Sequence, residues 1–234
     1  MVEAKRELDH KDITKLFGPR SQIYGDCIQF LKKKALRKKD AYEHKFAEWK
    51  VVFKDIYGTL EEELFLNHTY FALILKAIVV TKLSVMANLD LEDAYLDFKD
   101  SNLAVFHFFE FETFYWVDLS KKLFRTIYNY LEKVNYSRED LFHDMYQHIF
   151  MPLTRHKIGE FYTPFNLVKK MVENFYEFGA KSLDPSCGSG SFLVGAYRML
   201  LAWHRDRYVA EGVEKHRKRI YQGAGGQWIL TTEE

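Results

Sequence analysis

From the amino terminus to about Phe150, apolar residues recur at three- and four-residue spacing, the mark of helices that bury one stripe. Between Pro19 and Pro152 there is no proline, so long helices can run there unbroken. Stops are expected at Gly58, at the polar run 88–90, at the cluster 99–102, and at 135–137, where Ser137 can cap the next helix. The pattern predicts a bundle of several helices. Residues 64–86 form its most apolar stretch, interrupted by Lys76 and Lys82. A lysine at mid-depth in a bilayer costs about 2.5 to 3.5 kcal/mol, so this stretch reads as a buried core helix and not as a membrane span. Phe106, Phe108, Phe109, Phe111, Phe114, Tyr115 and Trp116 crowd one short segment, and core packing is the expected use of rings at that density.

Beyond Pro152 the texture changes. Polar residues, glycine and proline lead into a helix opening at Phe165, with Thr163 as its cap and Pro164 at its first position. The short run 181–184 has the length of a buried strand, and it enters a glycine-rich turn at 185–190. A helical period resumes at Phe192 and continues to His204; after Arg205 comes a charged, loop-like stretch, then a glycine-rich loop with Thr231 or Thr232 placed to cap a new element. Helix, strand, turn and helix in this order open a doubly wound sheet. The expected fold is therefore an α-helical amino-terminal domain over 1–150, followed over 151–234 by the first part of an α/β, Rossmann-like domain, mainly α overall.

Composition adds limits. The chain has 234 residues, 47% hydrophobic and 29% charged, as expected of a folded globular protein. A formal charge of +1 excludes a globally basic nucleic-acid binder, so attraction to phosphate has to come from local patches. The densest are Lys32, Lys33, Lys34, Arg37, Lys38 and Lys39, and the run 215–219; each also reads as an ordinary solvated helix surface. Cys27 and Cys187 have no metal-type spacing, no apolar leader opens the chain, and a reducing cytoplasm is the expected compartment. The nine histidines lack a metal-binding pattern. Asp26 with Glu43, His44 and Lys45 has the form of a nuclease site, but such sites sit on strands and this region reads helical.

The informative string is DPSCGSGSF, 184–192. Gly188 and Gly190 can take backbone angles closed to other residues and admit a ligand close to the main chain. The helix behind them presents amides to a carboxylate, and Asp184 can accept from an ammonium group. Such a turn suits a zwitterionic amino-acid moiety. No Gly-Lys-Ser or Gly-Lys-Thr follows, and the three-glycine dinucleotide spacing is missing, which removes support for nucleotide hydrolysis and hydride transfer.

This string resembles motif I of class I methyltransferases, in the form found in adenine-N6 DNA methyltransferases of restriction-modification systems. Upstream, RHKIGEFYTP at 155–164 resembles the family's motif X, which in permuted members precedes motif I and completes the cofactor pocket. Looser likeness covers FAEWKVVFKDIYG, LFLNHTYFALILKAI and DMYQHIF in the helical region, and the tail GAGGQWILTTEE. The resemblance implies binding of S-adenosyl-L-methionine by Tyr162, Thr163 and Pro164 and by Asp184, Pro185, Ser186, Gly188, Gly190 and Phe192. It implies double-stranded DNA as substrate, with a specificity subunit or a missing carboxyl-terminal half on another chain as partner, and no membrane.

The family's catalytic Asn/Asp-Pro-Pro-Tyr/Phe tetrapeptide has no match, because Pro19, Pro152, Pro164 and Pro185 are never adjacent. No acidic strand end follows the turn by about 20 residues to hold ribose hydroxyls. An enzyme fragment inactive by itself is therefore expected. The rival expectation is a non-catalytic DNA- or partner-binding helical module with a vestigial turn.

Overall fold

The computed structural model describes residues 6–57, 61–99, 114–136, 149, 163–178, 180–188, 190–212, 214–223 and 228–231. The chain divides into two compact units, Met1–Glu160 and Phe161–Glu234.

In the first unit, β1 (Arg6–Leu8) is followed by α1 (His10–Phe17), α2 (Gln22–Arg37), α3 (Lys39–Tyr57), α4 (Glu62–Met86), α5 (Leu91–Lys99), α6 (Lys121–Leu131) and β2 (Val134–Tyr136). Helix starts are fixed by side-chain oxygens. Asp9 accepts from the Asp12 amide at 2.8 Å, Ser21 from the Tyr24 amide at 3.0 Å, and Ser120 from the Leu123 amide at 3.4 Å. The break expected at 88–90 is present: Asn88 turns the chain at a φ of 55°, and Asp90 then caps α5 through the amides of Glu92 and Asp93. The break at Lys99 closes α5, whereas Gly58 and Ser137 lie outside the described residues.

Helix α4 is the core of this unit and packs against α2, α3, α5 and α6. It is the one helix among the described residues long and apolar enough to cross a membrane by length and composition. Its apolar residues run around the whole circumference because neighbours cover it on several sides, burying Phe65, Leu66, Tyr70, Leu73, Ile74 and Ala77. Several of its buried polar groups are paired, although the Ser84 hydroxyl has no hydrogen-bond partner among the described residues. Tyr24 donates to Asn67 at 2.7 Å, Trp116 donates to Thr69 at 3.1 Å, Tyr70 donates to the Phe17 carbonyl at 2.6 Å, and the Lys76 ammonium lies against the Phe98 and Tyr115 rings. Phe114, Tyr115 and Trp116 belong to this core or pack on it; Phe106, Phe108, Phe109 and Phe111 lie outside the described residues.

One feature departs from the all-helical expectation. β1 and β2 pair in parallel, Arg6 opposite Val134 and Leu8 opposite Tyr136. Three-residue strands are too short to show an alternating period, and their pairing joins segments more than a hundred residues apart, so no local pattern announces them.

The second unit contains α7 (Phe165–Phe175), α8 (Ser191–Glu211), α9 (Glu214–Arg217), β3 (Ile220–Gln222) and β4 (Trp228–Leu230). α7 lies on α8 where Gly195 removes a side chain: a Cβ built there would come within 3.1 Å of Val168 and 3.4 Å of Val172. β3 and β4 form an antiparallel pair with Tyr221 opposite Ile229. The pair is held to α8 by the Leu230 amide, which donates to the Tyr197 hydroxyl at 3.3 Å, and by the Tyr208 and Trp228 rings, edge to face at 5.9 Å.

Three expectations need correction here. Residues 181–184 are not a strand: they run unpaired, and Leu183 is 88% exposed. A strand requires a neighbour for its amides and carbonyls, and none lies beside this run among the described residues. α8 does not end near His204 but continues to Glu211, with Tyr208 half-buried against the Trp228 ring of the strand pair. The described part of the segment after Arg205 is thus helix, α9 and a strand pair, with the Thr231 amide donating to the Arg219 carbonyl at 2.9 Å and extending the strand pairing; the glycine-rich residues 224–226 and Thr232 lie outside the described residues.

Candidate functional site

The turn from Asp184 to Gly190 connects the exposed run 181–184 to α8. Asp184 begins it, its carboxylate accepting from the Ser186 amide at 3.1 Å in an Asx turn. The Gly190 amide donates to the Cys187 carbonyl at 2.7 Å, closing the loop, and the Gly190 carbonyl accepts the first helical bond, from Val194 at 2.8 Å. Gly188 and Gly190 both have positive φ, 52° and 82°. A Cβ on either would meet no atom within 4 Å, so the backbone angle and not crowding is what favours glycine at these places, and the space above remains open. Gly190 is the N-cap of α8 and has no side chain to close that end, unlike Asp9, Ser21 and Ser120 in the first unit. A small anion could approach these first-turn amides along the helix axis.

Pro185, Ser186, Cys187 and Gly188 are exposed around the open face, Asp184 is half-buried, and Phe192 is half-buried in the first turn of α8. Ser189 and Tyr162 lie outside the described residues.

Thr163 and Pro164 stand at the opening of α7, with one difference from the expected capping. Pro164, at φ −56° and ψ 137°, is itself the N-cap, and its carbonyl accepts from Leu167 at 2.8 Å and Val168 at 3.1 Å. The extended ψ keeps it outside the helix, so the first helical position falls to Phe165 and no side-chain bond closes this end. Helices α7 and α8 run antiparallel: Phe165 receives the Arg198 guanidinium at 5.0 Å, while Val168 and Val172 meet Gly195. The opening of α7 is therefore alongside the second turn of α8, roughly 10 Å by helical rise from Ser191. No hydrogen bond among the described residues joins Thr163 or Pro164 to the glycine turn.

The nuclease-like set is dispersed over helix surfaces. Asp26 accepts from Gln22 at 2.9 Å, Glu43 pairs with Lys39 at 3.7 Å, and His44 and Lys45 both reach Glu48, at 3.0 and 2.9 Å. These are neighbours one turn apart on a helix, the ordinary fate of exposed charges. Among the described residues no group of three His, Cys, Asp or Glu side chains is arranged to hold a metal.

Residues 137–223 match the family model described as N-6 DNA Methylase. This region is similar to the N-6 DNA methylase family. The match includes the glycine turn and all of α7, α8 and α9. The methylase subunit of the type I restriction enzyme EcoEI of Escherichia coli is 34% identical over 92 residues, covering 37% of this chain. The aligned part spans 18% of the length of that relative. No solved structure matches the chain. Within the matched region, one arrangement was invisible in the sequence: His204 and His216, 12 positions apart, meet in the interior with their Nδ1 atoms 2.9 Å apart. No residue pattern announces such a pair, since it depends on where α9 folds back.

Proposed function

We propose that this chain carries the cofactor-binding part of a DNA methyltransferase that moves the methyl group of S-adenosyl-L-methionine to the N6 amino group of adenine, in a cytoplasmic restriction-modification or phage-defence system. The single observation that carries the reading is the turn at 184–190: two glycines at positive φ, open space above both, and a long helix directly behind them, inside a region similar to the N-6 DNA methylase family. Bound there, S-adenosyl-L-methionine would supply an electrophilic methyl group on a sulfonium.

The chain's own residues would act on the two ends of the cofactor's amino-acid moiety. The carboxylate would lie against the first-turn amides of α8, and the ammonium group would pair with the Asp184 oxygen not taken by the Ser186 amide. Phe192 would pack against its apolar part. In this reading Tyr162, Thr163 and Pro164 form the wall towards the rest of the cofactor, and the 181–184 run becomes a strand once other strands lie beside it. The four separated prolines leave no Pro-Pro pair to hold and stack on the flipped base. The reading therefore assigns that step to residues other than these 234, together with a specificity subunit that reads the double-stranded DNA, and expects these residues to be inactive alone.

A second reading, a helical module that binds DNA or a partner with a vestigial turn, is favoured by one contact: the bond from Ser186 already gives the Asp184 carboxylate a structural task. Calorimetric titration of the full chain with S-adenosyl-L-methionine separates the two. Saturable binding supports the cofactor site, whereas DNA binding with no cofactor binding at millimolar concentration supports the module. Methyl transfer to adenine-containing duplex DNA by the chain alone would contradict the assignment of catalysis elsewhere.

A further inference from the structure

His204 on α8 and His216 on α9 are buried, 5% and 4% exposed, and their Nδ1 atoms are 2.9 Å apart. At this distance two imidazole nitrogens attract only if one carries a hydrogen and the other offers its lone pair. In the neutral pair, the donor ring has Nδ1–H and a bare Nε2, and the acceptor ring has a bare Nδ1 and Nε2–H. One added proton can go to the donor's Nε2 and leave the contact intact. A second has only the acceptor's Nδ1 left, and it would bring two N–H groups face to face. We infer that the pair is a proton-counting clasp, which fastens α9 and the following strand pair to α8 while it holds at most one positive charge and lets go on the second proton. The inference is independent of the methyltransferase reading.

The surroundings fit that role. Trp203 stands edge-on to both imidazoles with centroids 4.8 Å away, so the rings are held in an apolar wall, and Phe178 stacks on the indole at 4.9 Å. Several charged groups lie on the elements around the pair. On α8 these are Arg198, whose guanidinium lies over the Phe165 ring at 5.0 Å, Arg205, paired with Asp206 at 2.7 Å, and Arg207, whose guanidinium sits 4.3 Å from the Trp203 ring. Arg217 on α9 and Lys218 and Arg219 in the next turn add further cations. On α7 are Lys170 and the Lys169–Glu173 pair at 3.8 Å, whereas β3 and β4 bring no charged residue. Glu177 lies next to Phe178, and Glu211, Glu214 and Lys215 are also on these elements, the last three with side chains outside the described residues. Release of His216 would reach the strand pair directly. The Arg219 amide donates to the His216 carbonyl at 3.2 Å, and the Thr231 amide donates to the Arg219 carbonyl at 2.9 Å.

Histidine-selective nitrogen NMR on the full chain, from about pH 7.5 to about 5, tests this across the ordinary imidazole range. At the upper pH the two rings should be opposite tautomers, one Nδ1–H and one Nε2–H. On acidification one ring should titrate with the Trp203 contact intact, and the second only as that contact is lost. Exchange protection of the Thr231 amide, corrected for intrinsic rate, should fall by up to about tenfold per pH unit below about 6.5, the linkage of one extra proton to opening. His216→Asn, which offers an amide oxygen and no second titrating ring, should make that protection independent of pH. Two Nε2–H tautomers, or full protonation of both rings with unchanged protection, would overturn the clasp. Should His216→Asn fail to fold, the tautomers and protection of the unsubstituted chain decide alone.

Discussion

Gly188 and Gly190 share a sign of φ but not its cost to other residues. At 52° Gly188 sits in the left-handed region that asparagine tolerates, while Gly190, at 82°, lies further out. Neither is crowded, so substitution isolates the backbone effect. Gly190→Val should destabilise the second unit by about 1 to 3 kcal/mol in urea unfolding followed by Trp203 or Trp228, and Gly188→Asn by less than about 1 kcal/mol. Equal, negligible costs would mean that the turn relaxes out of this conformation in solution. His68 offers a second residue-scale test. Burial between Trp49, Phe53 and Phe114 pushes its imidazole down to about 4, against the opposing contact of Nδ1 with the Leu64 carbonyl. Below about pH 6.5 the unfolded chain takes up a proton that the folded one refuses until about pH 4, so stability present above 6.5 is lost as pH falls through that window. The loss should reach up to about 3 kcal/mol, and His68→Phe should flatten the denaturation midpoint between pH 7 and pH 5 by removing it.

At the scale of elements, what was legible in the sequence followed from local physics. Apolar periodicity marked the helical character of the first unit, the polar run at 88–90 marked a true break, and the glycines at 188 and 190 marked a turn of special backbone geometry. What was missed depended on partners distant in sequence. The β1 and β2 pairing and the meeting of His204 with His216 have no local signal, and the 181–184 run has a strand's composition without the neighbour that makes one. Its exposed Leu183, together with Phe175 at 81% exposure on α7, shows what an apolar run becomes when nothing covers it. Gly195 was passed over because a glycine inside a helical period looks like a weakness, yet it sets how closely α7 approaches α8. Gly195→Val places branched methyl groups against Val168 and Val172 and should cost about 1 to 3 kcal/mol by overpacking. Gly25, also helical but with open space around it, should by contrast gain up to about 1 kcal/mol as alanine. If both substitutions stabilise in thermal melts, the close approach of the two helices is not maintained.

For the whole molecule, a formal charge of +1 means that attraction to a nucleic acid cannot be a property of the entire surface. It has to be local, and the exposed cations on α2 and at the start of α3 form the densest candidate. Lys32, Lys33, Arg37, Lys38 and Lys39 are all exposed, and among the described residues only Lys39 of these is drawn to an acid, Glu43, in a loose pair. On α2 the helical angles of Lys32, Lys33 and Arg37 fall within one broad solvent-facing arc, because Cys27, Leu31 and Ala35 take the buried side. If the proposed DNA substrate uses this arc, neutralising each phosphate releases condensed counterions, and the logarithm of affinity falls with the logarithm of salt by about 0.9 per contact. Lys32→Glu, Lys33→Glu and Arg37→Glu combined should then weaken duplex binding uniformly across sequences and reduce the salt slope by about 2 to 3. The substitutions leave the core untouched, so stability should change by less than about 0.5 kcal/mol. A triple variant with unchanged affinity and slope would mean that the cations only keep the helix solvated, and the DNA contact of the proposed methyltransferase would have to come from other surfaces.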